Sequence, residues 1–240
     1  MMNPHGKLPL DSPKIARPHR VYVALTNACN RACPWCSTCS SPRGTTFLPA
    51  DRLAGLLPAM GDFELQLEGG EPTIHPEFWQ FVEAARMHER CKRVVICTNG
   101  AVLPRERLEL ENWVARLGTP LTLKLSWNHY LLEHDAGLPE LARALRAVML
   151  ELGGDRLFVL NVRLRRGVAN DDAAVLAAVE STGLKDCSNI FFLQRYGFAA
   201  GELAWEEPFL AGTNFRMVNP DGRSFGTDLV ARSVAMGELP

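Results

Sequence analysis

The chain has 240 residues, of which 47% are hydrophobic, so it is long enough to bury one substantial core and short for two domains. Its 26 basic residues balance 27 acidic ones, and neither sign is concentrated in one segment, which argues against nucleic acid or an anionic membrane as a partner. No apolar run is long enough to span a bilayer, and residues 1–16 lack the apolar core of a signal peptide, which predicts a cytoplasmic protein.

Short apolar or β-branched runs alternate with helical patterns along most of the chain. The predicted strands are 19–25, 63–67, 93–98, 121–127, 157–164 and 190–194, and the predicted helices are 51–60, 77–87, 105–117, 139–152 and 170–179. Strands joined by helices pair in parallel, because a tight turn cannot reach a parallel neighbour. Six such units are too few for a closed eight-stranded barrel, so the sequence predicts an α/β fold with a partial (β/α)6 barrel. A doubly wound flat sheet is the alternative.

The alternation ends after residue 200. Residues 214–230 contain a strand-like run followed by Pro220-Asp221-Gly222, a combination typical of a turn between two strands. The predicted organisation is therefore an N-terminal extension at 1–18, a barrel at 19–200 and a C-terminal hairpin extension at 201–240.

Four of the seven cysteines, namely Cys29, Cys33, Cys36 and Cys39, are clustered directly after the first predicted strand. Disulfides between such near neighbours would close very small rings, whereas clustered thiols in a reducing compartment more often bind a metal. Thiolates spaced by three and then two residues can hold three irons of a [4Fe-4S] cluster and leave the fourth iron open to a substrate or cofactor.

A structural zinc site or a four-thiolate electron carrier is the alternative, with Cys39 as the fourth ligand. Zinc sites usually combine two CxxC pairs separated by a longer spacer, and this sequence has no such second pair. Otherwise Cys39 has a structural role or a local role toward substrate. The isolated cysteines Cys91, Cys97 and Cys187 are predicted to be inert core thiols.

Two motifs carry a resemblance to a known family. The cysteine loop, with Trp35 directly before Cys36, resembles the signature loop of the radical S-adenosylmethionine (radical SAM) enzymes. Gly69-Gly70-Glu71-Pro72, at the end of the second predicted strand, resembles the GGEP motif of the same family. Glycines let the backbone approach a ligand, and their carbonyls with the Glu71 carboxylate can accept hydrogen bonds from an amino group. A simple strand-ending turn is the alternative explanation.

Two later strands carry polar residues at alternate positions, where a barrel interior is usually apolar. These residues are Lys124, Ser126 and Asn128 on the fourth strand, and Asn161, Arg163 and Arg165 on the fifth. The resemblance implies that Ser126, Asn128 and Arg163 contact the ribose or the carboxylate of SAM. Solvated strand ends are the alternative.

The resemblance covers residues 19–200 and implies two cofactors. Cys29, Cys33 and Cys36 would hold one [4Fe-4S] cluster, and the expected SAM contacts are Trp35, Gly69, Gly70, Glu71, Ser126, Asn128 and Arg163. In that family, an electron from the cluster cleaves SAM to a 5'-deoxyadenosyl radical, which removes a hydrogen atom from the substrate.

The expected partners follow from the same resemblance. They are a low-potential electron donor of the flavodoxin or ferredoxin type and a peptide or small natural-product substrate, with a glycyl-radical activase as a further alternative. Residues 218–223 resemble the start of a SPASM or twitch extension, but no cysteine follows Cys187, so we expect a vestigial extension without auxiliary clusters. A non-catalytic iron-sulfur or zinc protein is the alternative function.

Overall fold

The computed structural model describes residues 19–165, 169–203, 205 and 214–240. The predicted N-terminal extension therefore lies outside the described residues, as does part of the predicted C-terminal extension. The strands are β1 (His19–Thr26), β2 (Phe63–Gly69), β3 (Cys91–Thr98), β4 (Leu121–Trp127), β5 (Arg156–Leu164), β6 (Ser188–Phe192) and β7 (Phe215–Val218). They form one parallel sheet in the order β6-β5-β4-β3-β2-β1-β7.

The predicted α/β class and parallel pairing are confirmed. Strands β1 to β6 follow one another across the sheet in chain order, which is the arrangement of an open barrel. A doubly wound sheet would instead reverse its strand order near the middle.

The helices are α1 (Leu53–Leu56), α2 (Phe78–Met87), α3 (Arg107–Leu117), α4 (His129–His134), α5 (Leu138–Leu152), α6 (Ala169–Thr182) and α7 (Leu229–Gly237). Helix α1 is shorter than predicted, because Leu57 is extended ahead of Pro58. Helices α4 and α7 were not predicted. Each is capped at its N-terminus, where the side chains of Asn128 and Asp228 accept hydrogen bonds from backbone N–H groups.

The C-terminal segment contains the expected turn and also extends the sheet. Gly222 N donates to Asn219 O at 2.9 Å, and Val218 forms an antiparallel bridge with Ser224. Strand β7 additionally pairs in parallel with β1, which the alternation of strands and helices did not predict. The domain boundary at residue 200 stays a prediction.

The two faces of the sheet differ in polarity, and this difference positions the site. On β4, Leu121, Leu123, Leu125 and Trp127 are fully buried in the main core beneath the helices. The intervening Lys124 and Ser126 face a cavity on the other side. Parallel sheets are usually apolar on both faces, so a polar inner face indicates ligand binding. No helix among the described residues is long and apolar enough to cross a membrane.

Candidate functional site

The polar face of the sheet and the loops after its strands line a cavity of about 400 Å³. This volume lies within the usual range for small-molecule sites. All but one of the residues predicted as cluster ligands or cofactor contacts line it: Cys29, Cys33, Cys36, Trp35, Gly69, Gly70, Ser126, Asn128 and Arg163. The exception is Glu71.

Backbone hydrogen bonds fix the cysteine loop at the end of β1. Cys29 N donates to Ser41 O at 3.0 Å, and Ser41 N donates back to Asn27 O at 3.3 Å. Within the loop, Cys36 N donates to Cys33 O at 3.2 Å and closes a tight turn. This turn and the paired base of the loop bring the three thiols to the same cavity.

The thiols lie in an environment that suits metal ligands. Burial is the main cause that raises the pKa of Cys29 and of Cys33 to about 12, with a further contribution from the neighbouring Cys36 thiol. Metal binding replaces such thiol protons, since the thiolate is the ligand form. Across the described parts of the chain, no three His, Cys, Asp or Glu side chains converge as a single metal ion requires.

Cys39 differs from the other three thiols of the loop in its position relative to the cavity. It is not among the cavity-lining residues, and its Sγ donates toward Ser233 O at 3.5 Å. It also lies beside Gly237 at the end of α7, where a Cβ on the glycine would be 3.4 Å from the sulfur. The structure therefore favours a packing role for Cys39 over a fourth ligand.

The two glycines after β2 pack against the start of the cysteine loop. Gly70 N donates to Thr26 O at 2.7 Å, and a Cβ on Gly70 would lie 1.9 Å from Ala28 O. The carbonyl of Gly69 accepts a hydrogen bond from Thr38 Oγ1 at 3.0 Å. Glycine is thus required by contact between two backbone segments, and not only by approach of a ligand.

Glu71 is fully buried behind the cavity, which differs from the direct ligand contact expected from the sequence. Its carboxylate accepts hydrogen bonds from Thr73 Oγ1 at 2.6 Å, Thr98 Oγ1 at 2.8 Å and Asn99 N at 2.7 Å. Burial raises the pKa of the Glu71 carboxyl above its usual value, although these hydrogen bonds oppose the shift. Because its oxygens are already occupied, Glu71 is placed to position the end of β3.

Asn99, at that end of β3, connects Glu71 to the cysteine loop. Its Nδ2 donates to Asn30 Oδ1 at 2.8 Å and lies 3.6 Å from Cys29 Sγ. No local sequence pattern links the Gly-Gly-Glu-Pro motif to the first cysteine through this residue. Hydrogen bonds to ligand sulfur tune the potential of iron-sulfur clusters, so Asn99 is placed to do so here.

The expected SAM contacts on β4 and β5 reach the cavity from neighbouring strands. Asn128 Oδ1 accepts from Leu131 N at 2.9 Å, so part of this side chain caps α4. Ser126 pairs in register with Asn161, which also lines the cavity. The Arg163 guanidinium lies 5.4 Å from the ring centre of Phe191.

Arg165 does not line the cavity as Asn161 and Arg163 do, because β5 ends at Leu164. Its Nη1 forms an ion pair with Asp171 at 2.9 Å, and its guanidinium lies 4.6 Å from the ring centre of Trp35. Trp35 also packs edge to face on Tyr130, and its Nε1 has no hydrogen-bond partner among the described residues. A buried donor without a partner beside the thiols is consistent with a missing ligand.

Several charged and polar residues that line the cavity were not predicted from the sequence. Gln66 and Glu68 alternate with buried Leu65 and Leu67 on β2, so the period of the strand could have identified them. Arg232 comes from α7, and no local pattern predicts that this helix reaches the cavity.

A substitution at Gly197 tests how strictly the cysteine loop must be placed. Gly197 has φ +65°, and a Cβ there would lie 2.4 Å from Cys36 O, which accepts a hydrogen bond from Phe198 N. We expect Gly197→Ala to displace the loop and to lower the iron bound after anaerobic reconstitution several-fold. The matched control is Gly201→Ala, because no atom of the described residues lies within 4 Å of a Cβ at Gly201. Equal iron content in both variants would show that Cys36 tolerates the shift.

Comparison with known proteins agrees with the site. The model of the Radical SAM superfamily matches residues 23–117, a segment that contains both the cysteine loop and the Gly-Gly-Glu-Pro motif. GTP 3',8-cyclase of Chlorobaculum tepidum is 35% identical over 89 residues, which are 36% of this chain and 27% of that protein. GTP 3',8-cyclase of Stenotrophomonas maltophilia strain R551-3 is 29% identical over 163 residues, which are 62% of this chain and 47% of that protein. The chain spans less than half the length of these curated relatives.

The fold has solved counterparts. SuiB of Streptococcus suis, in a structure with its precursor peptide SuiA, superposes with a TM-score of 0.63 and 12% sequence identity. The superposition covers 91% of this chain and 61% of SuiB. Proteins of the matched superfamily use a [4Fe-4S] cluster and SAM. Residues 23–117, which contain both motifs, are therefore similar to the radical SAM superfamily, and the chain shares its fold with SuiB.

Proposed function

We propose that this chain is a radical SAM enzyme that binds one [4Fe-4S] cluster on Cys29, Cys33 and Cys36 and binds SAM in the adjoining part of the cavity. One observation carries the proposal: three thiols and the polar ends of three strands line the same cavity, while Cys39 lies outside it. When bound, the cluster and SAM supply reductive cleavage of SAM and hydrogen-atom abstraction from a substrate.

The residues on β4 and β5 have binding groups to offer SAM. Arg163 has no carboxylate partner in the described part of the chain, so its guanidinium is available for the SAM carboxylate. The Ser126 hydroxyl and the Asn128 amide nitrogen lie on the same wall and suit the ribose hydroxyls. Gly69 and Gly70 line the side nearest the cysteine loop, where their carbonyls can accept from the amino group.

Glu71 and Trp35 have supporting roles in this proposal. Glu71 holds Thr98 and Asn99, and through them the first cysteine, so it acts as a positioning residue. Trp35 and Leu131 are buried and line the cavity, so they exclude water from the reacting atoms.

The wider role is proposed by analogy with the relatives. The sequence relatives are named GTP 3',8-cyclases, and SuiB was solved with a peptide; by analogy with both, we propose a peptide or small natural-product substrate here. A flavodoxin or ferredoxin would supply the electron. The seven free cysteines support a reducing, cytoplasmic compartment.

Anaerobic reconstitution with iron and sulfide, followed by dithionite and SAM, tests the function. We expect 5'-deoxyadenosine and methionine, measured by liquid chromatography and mass spectrometry, and none without dithionite. Arg163→Gln is expected to weaken SAM binding about tenfold or more, since a charge-assisted hydrogen bond is lost. A fully loaded protein that forms no 5'-deoxyadenosine would rule the proposal out.

A further inference from the structure

The cavity continues beyond the residues assigned to SAM, toward β1, β2, β7 and α7. Its walls there include Tyr22, Phe215, Met217 and Leu229, and its polar residues are Glu68 and Arg232. The rings of Tyr22 and Phe215 pack edge to face with their centres 5.4 Å apart. This half of the cavity therefore combines apolar and aromatic walls with the charged side chains of Glu68 and Arg232.

A hydrogen-bonded chain of four side chains crosses this region. Lys124 Nζ donates to Gln66 Oε1 at 2.7 Å, and Gln66 Nε2 donates to Glu68 Oε2. The other oxygen of Glu68 accepts from Arg232 Nη1 at 2.6 Å. Arg232 is only 5% exposed, and its Nη2 has no hydrogen-bond partner among the described residues. Burying a guanidinium with an unused nitrogen is costly, and an additional acceptor at this nitrogen would offset that cost.

The charges around the cavity do not balance. Among the described residues that line it, four are cationic (Arg31, Lys124, Arg163 and Arg232) and one, Glu68, is acidic. Arg31 lies 3.6 Å from Asp135 and Arg232 lies 2.6 Å from Glu68, so these two cations are paired. Lys124 and Arg163 have no carboxylate partner within the ranges that the structure describes. Burial raises the pKa of the nearby Cys97 thiol to about 11, so Cys97 is neutral and does not offset Lys124.

Lys124 lies nearer the amino end of its strand than the residues of β4 and β5 that are assigned to SAM. It precedes Ser126 by two residues on the same face of β4, which corresponds to about 7 Å along the strand. If Arg163 binds the SAM carboxylate, as proposed above, then Lys124 is the cation left for another ligand.

We propose that Lys124, together with Arg232, binds an anionic group of the substrate, a carboxylate or a phosphate, and that Tyr22, Phe215 and Met217 contact the apolar body attached to it. The identification of this ligand as the substrate rests on the proposed function. The anion site itself rests on the surplus charge, the unused donors of two cations and the cavity that they line.

A purely structural role predicts a different behaviour. In that case the four side chains only attach α7 to the sheet, and the positive charge of Lys124 has no ligand. A glutamine at position 124 could still reach Gln66 in part, and no anion would bind.

Titration calorimetry with two probes, benzoate and inorganic phosphate, separates these cases. The reconstituted protein is titrated without SAM or reductant, so the result does not depend on whether SAM is cleaved. We expect at least one probe to bind and Lys124→Gln to weaken its affinity about tenfold or more, because a hydrogen bond to a charged group is lost. Lys124→Arg, which keeps the charge, should retain most of the affinity. The probe that binds distinguishes a carboxylate from a phosphate ligand.

Lys92→Gln is the matched control, because Lys92 is exposed and pairs with Asp62 outside the cavity. It should bind the probe as the wild type does, and thermal unfolding checks that each variant is folded. Three results would overturn the proposal: neither probe binds, Lys124→Gln and the wild type bind equally, or only Arg163→Gln loses binding. If an anion binds in this way but no 5'-deoxyadenosine forms, the site stands and the proposed function fails.

Discussion

Cys33→Ala is expected to abolish iron-sulfur cluster binding, whereas Cys39→Ala is expected to retain the cluster. Cys33 lines the cavity with the other two proposed ligands, and its loss leaves two thiolates, too few to hold three irons. Cys39 instead faces Ser233 and Gly237. Iron and sulfide content after anaerobic reconstitution, together with the visible absorption of the cluster, measures the difference.

The pair of variants is matched, because both remove one thiol from the same loop. Cys39→Ala removes a side chain that packs on α7, so we expect a loss of stability of about 1 kcal/mol or less and an intact cluster. Loss of all iron from Cys39→Ala would instead support a four-thiolate carrier. Normal iron content in Cys33→Ala would contradict the ligand assignment.

Gly70→Ala is expected to have the largest effect among the glycine substitutions. The added Cβ would lie 1.9 Å from Ala28 O, and both contacting groups belong to the backbone, so neither can rotate away. The two segments would have to separate, which breaks the hydrogen bonds from Gly70 N to Thr26 O and from Glu71 N to Ala28 O. We expect the free energy of unfolding to fall by about 3 kcal/mol and SAM cleavage to be lost.

Gly55→Ala is the control for this change. Gly55 lies in α1, and no atom in the described part of the chain lies within 4 Å of a Cβ placed there, so alanine should leave stability unchanged or raise it slightly. Urea denaturation of the two variants and the wild type gives the comparison. If Gly70→Ala unfolds at the wild-type urea concentration, the close contact between β2 and the cysteine loop is not a feature of the folded protein.

The sequence predicted the fold where local patterns determine it. Alternation of apolar runs and helical periods located β1 to β6, and the polar residues between Leu121 and Trp127 correctly indicated a polar inner face. The spacing of three cysteines depends on short-range geometry, so their shared cavity could also be anticipated. Family resemblance added the SAM contacts, and their assignment to SAM stays a prediction.

Features set by long-range contacts could not be predicted in this way. Strand β7 lies beside β1 although nearly two hundred residues separate them, and α7 carries Arg232 to Glu68 across a similar distance in the chain. The orientation of Glu71 also depends on contacts that are distant in the sequence. Its motif suggests a ligand contact, but the direction of its side chain depends on Thr98 and Asn99 at the end of β3.

The most direct test of a cluster with three cysteine ligands is electron paramagnetic resonance of the reduced, reconstituted protein before and after addition of SAM. We expect a [4Fe-4S] signal whose shape changes when SAM is added, because three thiolates would leave one iron accessible to it. A signal that SAM leaves unchanged, in a protein with a complete cluster, would contradict this ligand set.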